Sequence, residues 1–371
     1  MENKKTYVNL SWLIYIIMGV IGFFLVRFFF DELNLATVYD LDLNIYVYDL
    51  LIIVYGFVVC GFVYNFGKFI FSKVCGYKLV YFNLYFMGIE KINNKNKFFF
   101  GLKHDLSCKV VMEHEKEDVN TTLPLLGGTI ASLVAISVTY LLIFLLNTSA
   151  TTKFFFLVSS LFYYFIILLN IIPCRMDTLN DGFTLVLLKD KSYKTVYLNN
   201  LKNAGALTDT SRKFIYQDIE VENHPLNLEA QLFNFYYLLE KEEFEKAYAL
   251  ASKMNEYRKN IILEENQNSV LIAKVFDMCL HHKDEELKNY YFSLDSMNRN
   301  IVNNGKKLES IKTALYIFTF IDEDKEGYAK VINDISKNKE KYKNKRLLEK
   351  EEKLIKTIIN YVQENKPEWN E

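Results

Sequence analysis

The chain has 371 residues, of which 51% are hydrophobic and 24% charged, with a formal net charge of -1. Its five cysteines, Cys60, Cys75, Cys108, Cys174 and Cys279, lie scattered without CxxC spacing, and their odd number excludes a disulfide-knit scaffold and points to a reduced setting. The length suits two domains, and the hydrophobic content is divided unevenly: the first half is apolar and the second half carries most of the charge.

Ser11 to Phe30 is long enough to cross a bilayer and lacks a small-residue cleavage site, so a retained first span is expected, with Trp12 at one interface and Arg27 snorkelling at the other. The connection from Asp31 to Asp49 has five acidic residues and no Lys or Arg, whereas Lys73 to Thr121 has eight Lys. The positive-inside rule therefore places the N-terminus and the 73–121 segment in the cytoplasm. Between them, Leu50 to Lys73 forms a second span with Asn65 and Lys68 in its second half. Helical spacing puts Cys60, Tyr64 and Lys68 on one face, and polar residues on a spanning helix face protein or water.

From Tyr77 to Val111 the runs VYFNLYFMGI and FFFGL flank the polar turn Asn93-Asn94-Lys95-Asn96, which predicts a β-hairpin lying against the membrane surface or packed on a cytoplasmic domain. His114-Glu115 reads as solvated surface. Leu123 to Leu146 is the third span, with Gly127, Ala131 and Ala135 on one stripe that allows close helix approach. Phe154 to Ile172 is the fourth. Pro173 stops it, Cys174-Arg175-Met176-Asp177 forms a loop, Asp181 returns toward the core, and Phe183 to Leu188 is a short helical plug.

After Lys189 the pattern becomes mixed-charge and helical. Apolar residues recur at i, i+3, i+4 and i+7 in four sets: Phe244, Ala247, Tyr248, Ala251; Ile272, Val275, Phe276, Cys279; Leu287, Tyr290, Tyr291, Leu294; and Ile311, Ala314, Leu315, Phe318. A stack of antiparallel helices is expected. It resembles degenerate tetratricopeptide repeats, most clearly in FNFYYLLEKEEFEKAYALASKM, which implies a protein- or peptide-binding surface; a plain helical bundle is the alternative. Lys337 to Lys356, nine basic residues against four acidic, reads as a solvated helix face or an anionic-lipid contact.

The residues Tyr64-Asn65-Phe66-Gly67-Lys68 have the spacing of a His-Glu-x-Gly-His zinc helix, Gly127-Gly128 opens a later span, and Asn170-Ile171-Ile172-Pro173 precedes Asp181-Gly182. Over residues 50–205 the chain resembles the site-2 protease family of membrane-embedded zinc metallopeptidases. The resemblance places Tyr64 and Lys68 at the His ligand positions, Asn65 at the general base and Asp181 at the third ligand. Asp181 alone keeps the chemistry, because Tyr64 and Lys68 would have to lose protons to bind zinc and Asn65 cannot take the proton that the reaction must pass from the bound water. Thr129 and Ser132 likewise stand where the family pattern has Pro and Asn. The expected fold is thus an α-helical integral membrane protein: a four-span site-2-protease-like domain (1–190) carrying the hairpin at 76–120, then a helical cytoplasmic domain (191–371).

By the same resemblance the chain is a pseudoprotease, with zinc expected for the family but its ligands absent. It would bind a membrane helix or peptide through Asn170, Pro173, Gly182, Tyr85 and Phe86, as scaffold, chaperone or regulator. A strand edge near Tyr85 would receive an unwound segment, since site-2 proteases present one there. Two alternatives stay open: an active peptidase using Cys60, Cys174 and Asp181 as a metal site, and an accessory of a peptide-export or immunity system. The expected partners are the lipid bilayer, a membrane peptide or protein, and a protein or peptide on the C-terminal helices, with no nucleic acid; the expected location is a plasma membrane of bacterial type, both termini cytoplasmic. Lys68 and Asp181 are expected to pair where zinc would sit, the ammonium replacing the cation, unless Lys68 snorkels and Asp181 caps the following helix.

Overall fold

Four apolar stretches and a run of amphipathic ones make the chain mostly helical, with a small antiparallel sheet between them. The computed structural model describes residues 11–33, 52, 54–92, 95–101, 108–116, 118–146, 150–173, 179–209, 211–261, 263–342 and 346–369. It contains two compact units, Met1–Leu201 and Lys202–Glu371.

In the first unit, α1 is Ser11–Leu33. The second apolar run begins as a π-helical segment, Tyr55–Cys60, and continues as α2, Gly61–Val74. π-helical insertions inside α-helices concentrate at functional sites. Here Gly56 lies flat against the Phe162 ring, where a Cβ would come within 2.4 Å of it. Helix α3 is Thr122–Leu145; the Asn120 side chain accepts from the N–H groups of Thr122 and Leu123, and Pro124 sits in the first turn, where its missing N–H costs nothing. Helix α4 is Ala150–Ile171. Among the described residues, Thr122–Leu145 and Thr152–Ile171 are long and apolar enough to cross a membrane. Leu133, Val134, Val138, Leu141 and Phe144 stand exposed along α3, as a lipid-facing flank would.

Helices α2 and α3 meet backbone to backbone. A Cβ added at Gly67 would lie 2.6 Å from the Gly127 carbonyl oxygen, and one at Gly127 would lie 2.9 Å from that of Gly67. The small-residue stripe of the third apolar run is therefore the surface on which the second rests.

The sheet corrects the expected hairpin. It has four antiparallel strands in the order β3-β2-β1-β4: β1 Lys78–Leu84, β2 Met87–Ile92, β3 Lys95–Phe100 and β4 Cys108–Glu113. The run VYFNLYFMGI is two strands, broken at Tyr85-Phe86, where Tyr85 takes φ 57°. That left-handed turn normally calls for Gly or Asn, so nothing local signals it. The Phe82 ring meets Phe62 and Phe69 of α2 edge-on, at 6.1 and 6.4 Å. His114 is also corrected: it is buried, its ring 5.0 Å from that of Tyr77 and its Nδ1 accepting from the Lys116 N–H. Glu115 pairs with Lys78. The expected plug is α5, Asp181–Leu187, and α6 is Ser192–Thr208.

In the second unit, α7 (Pro225–Glu240) pairs with α8 (Phe244–Met254), α9 (Glu264–Leu280) with α10 (Asp284–Ser293), and α12 (Leu308–Phe320) with α13 (Lys325–Lys341). α11, Ser296–Val302, is a short insertion, and α14, Leu348–Asn365, closes the array. Each hairpin turns through one left-handed residue: Glu242, His282 or Glu323. In the first two, the N–H of Glu243 or Lys283 reaches back to the carbonyl of Leu238 or Met278, which satisfies the helix end. The periodic apolar sets supply the core, with Tyr248, Phe276, Leu287 and Leu315 inaccessible to solvent. From the basic run near the C-terminus, Lys339 pairs with Glu352, Lys350 and Lys353 with Glu242, and Arg346 with Glu240 through two hydrogen bonds of 2.7 and 2.8 Å.

Candidate functional site

One helical turn separates Cys60, the last residue of the π-helical segment, from Tyr64 of α2, and another separates Tyr64 from Lys68. Opposite them, α5 begins at Asp181. Its N-cap is Asn180, whose Oδ1 accepts from the Phe183 N–H at 2.8 Å, so the neighbouring Asp181 is not needed as a cap. Its carboxylate is almost wholly buried and takes two donors. The Tyr64 hydroxyl donates to Oδ2, and the Lys68 ammonium donates to Oδ1 at 2.7 Å. Lys68 keeps 22% of its side chain exposed and Asp181 10%, so the pair sits at the rim of the packed interior.

Backbone contacts fix this geometry. The Tyr64 ring lies on Gly128, where a Cβ would be 2.6 Å from it. Gly182 presses on the end of α4, where a Cβ would fall 2.0 Å from the Ile171 carbonyl oxygen. The Asn180 amide donates to the carbonyls of Leu169 and Ile172 at 2.7 and 2.6 Å, stapling the start of α5 to α4. Sequence reasoning missed Asn180 and Gly128 as positioning residues; an Asn preceding Asp-Gly-Phe is an N-cap signal that points to the first.

The remaining candidates lie elsewhere. Asn65 donates to the carbonyls of Gly61 and Cys108, both at 3.0 Å, and so holds β4 to α2. The amide of Asn170 is turned back to the Ile166 carbonyl in its own helix. Pro173 follows the end of α4. Tyr85 and Phe86 form the β1–β2 turn; the Tyr85 hydroxyl closes on Gly61, and Phe86 is exposed. Cys60 is packed with Ile136, Tyr163 and Ile167. Cys174, with the expected 174–177 loop, lies outside the described residues.

Zinc ligands sit about 2.0–2.3 Å from the metal and are unprotonated. Of the residues that the resemblance would set around a metal, Lys68 and Tyr64 each donate a hydrogen bond to Asp181, and the Asn65 amide cannot take a proton. These residues do not suit zinc. Among the described residues no three His, Cys, Asp or Glu side chains gather as a metal would need. The arrangement holds a carboxylate between two donors. No family model matches the chain, and neither a curated protein nor a solved structure does.

Proposed function

We propose that the chain is a catalytically silent relative of the site-2 proteases that retains a membrane helix or peptide without cutting it. The Lys68 ammonium on Asp181 carries this reading: the position that the resemblance gives to a metal cation is taken by a side-chain cation, and the position of the general base is taken by an amide with a structural task. The same reading makes α1, α2, α3 and α4 four spans of a plasma membrane with both termini in the cytoplasm. It draws on the two long apolar helices and on the lysines that crowd residues 73–121.

The partner's place in this reading is β3, an outer strand of the sheet. Strand β3 pairs on one side with β2, and Phe98 and Phe100 are about four-fifths exposed on it, so an extended segment can add to its backbone.

Restoring the ligands tests the assignment. The triple substitution Tyr64→His, Asn65→Glu, Lys68→His leaves Asp181 as third ligand and is expected to bring purified protein to about one zinc per chain, while the unaltered chain stays far below that. Stoichiometric zinc in the unaltered chain, or none in a folded triple variant, would refute the positional correspondence.

A further inference from the structure

The helical unit contains a polar cavity that the membrane site does not use. It lies among α7, α8, α9, α12 and α14 and has a volume of about 20 Å³, the room of one water-sized group. Its floor is buried: Phe235, Tyr248, Lys312 and Glu351. Its half-buried rim includes Tyr236, Ser269, Glu309 and Tyr342, which marks the way in.

Charge and hydrogen bonding inside this cavity are unbalanced. Lys312 pairs with Glu351 and lies 5.2 Å above the Phe276 ring, so one carboxylate is neutralised within the wall. Glu309 has a 3.3 Å contact from the Ser269 hydroxyl and makes no ion pair among the described residues. Tyr248 lines the same space, and its fully buried hydroxyl has no hydrogen-bond partner among the described residues. A buried hydroxyl without a partner costs free energy, and so does a second carboxylate beside the first. Burial, and then the neighbouring Glu351, hold the Glu309 carboxyl above its ordinary range, against a smaller downward pull from Lys312.

A single group would satisfy both demands: water-sized, positively charged and able to donate several hydrogen bonds, among aromatic faces. We propose that this cavity binds a primary ammonium group, with Glu309 as counter-ion, the Tyr248 hydroxyl as acceptor and the rings of Tyr236 and Phe235 as cation–π walls. The carbon stem leaves past the half-buried rim. A lysine side chain, a polypeptide N-terminus or a small amine all present this chemistry.

The test is thermal unfolding of the full chain in detergent, followed by helical ellipticity at pH 7.5 and constant ionic strength, in methylammonium, ammonium, potassium or tetramethylammonium chloride. Methylammonium and ammonium are expected to raise the midpoint saturably, and tetramethylammonium, too large for the space, to leave it unchanged. A lysine amide that acts as methylammonium does would mark a peptide source; its failure beside an active methylammonium would mark a free small amine. Glu309→Gln is expected to abolish the effect, and Tyr248→Phe to raise the half-saturating concentration about tenfold, as loss of one bond to a charged group would. Should Glu309→Gln not fold, Tyr248→Phe decides. Equal midpoints in all salts, a response to potassium without one to amines, or a response unchanged in the variants would overturn the proposal.

Discussion

At Asp181 two donors of different kind share one carboxylate, and their contributions separate by substitution. Tyr64→Phe removes the hydroxyl and leaves the ring on Gly128, so its expected cost is that of one bond to a charged acceptor, about 1.5–3 kcal/mol of stability in detergent. Thermal unfolding checks this; a change within error would mean that the hydroxyl bond contributes nothing. Glu309 gives a pH signature. Its carboxyl is held above its unfolded value, so the ionised form is penalised in the folded chain. In amine-free buffer the wild type is therefore expected to lose stability relative to Glu309→Gln as pH rises above the ordinary value of 4.5, with the difference flat below it. A difference independent of pH contradicts that environment.

Elements differ in how openly the sequence announces them. The apolar runs gave α1, α3 and α4 to within a few residues, because a long hydrophobic stretch is a local signal; of the two readings left open for Lys68 and Asp181, the structure contains the ion pair. The sheet was half hidden. Tyr85 turns the chain with no Gly, Asn or Pro to mark it, and His114, adjacent to a charged run, is buried by the Tyr77 ring that long-range folding brings to it. The helical hairpins were legible from their stripes, whereas their turns were not, since Glu242, His282 and Glu323 occupy a conformation that disfavours side chains. Glu323→Gly should relieve that strain at the expense of one exposed 3.5 Å pair with Lys366. The expected net gain is about 0.5–1 kcal/mol, after the larger unfolded-state entropy of Gly. A loss of that size in chemical denaturation would show that Glu323 is unstrained.

For the whole molecule, the proposed orientation predicts that reporters fused at residues 40 and 150 read outside and those at 100 and 371 read inside. A cytoplasmic signal at residue 40 would defeat the four-span arrangement. The proposed reading of the molecule as a silent peptidase frame rests on the Lys68–Asp181 pair more than on any other contact, because in that reading the pair stands in for a metal where α2 and α5 converge. Separating buried partners leaves an unpaired charge that costs about 3–5 kcal/mol, while an exposed pair is worth about 0–1 kcal/mol. The rim position of this pair, with 22% of Lys68 exposed, sets the expectation between these limits. The deciding measurement is a double-mutant cycle of Lys68→Met and Asp181→Asn, read as unfolding free energy in detergent. The predicted result is a loss in each single variant and a double variant well short of their sum, with a coupling of about 1–3 kcal/mol. Additive losses with no coupling would contradict the account.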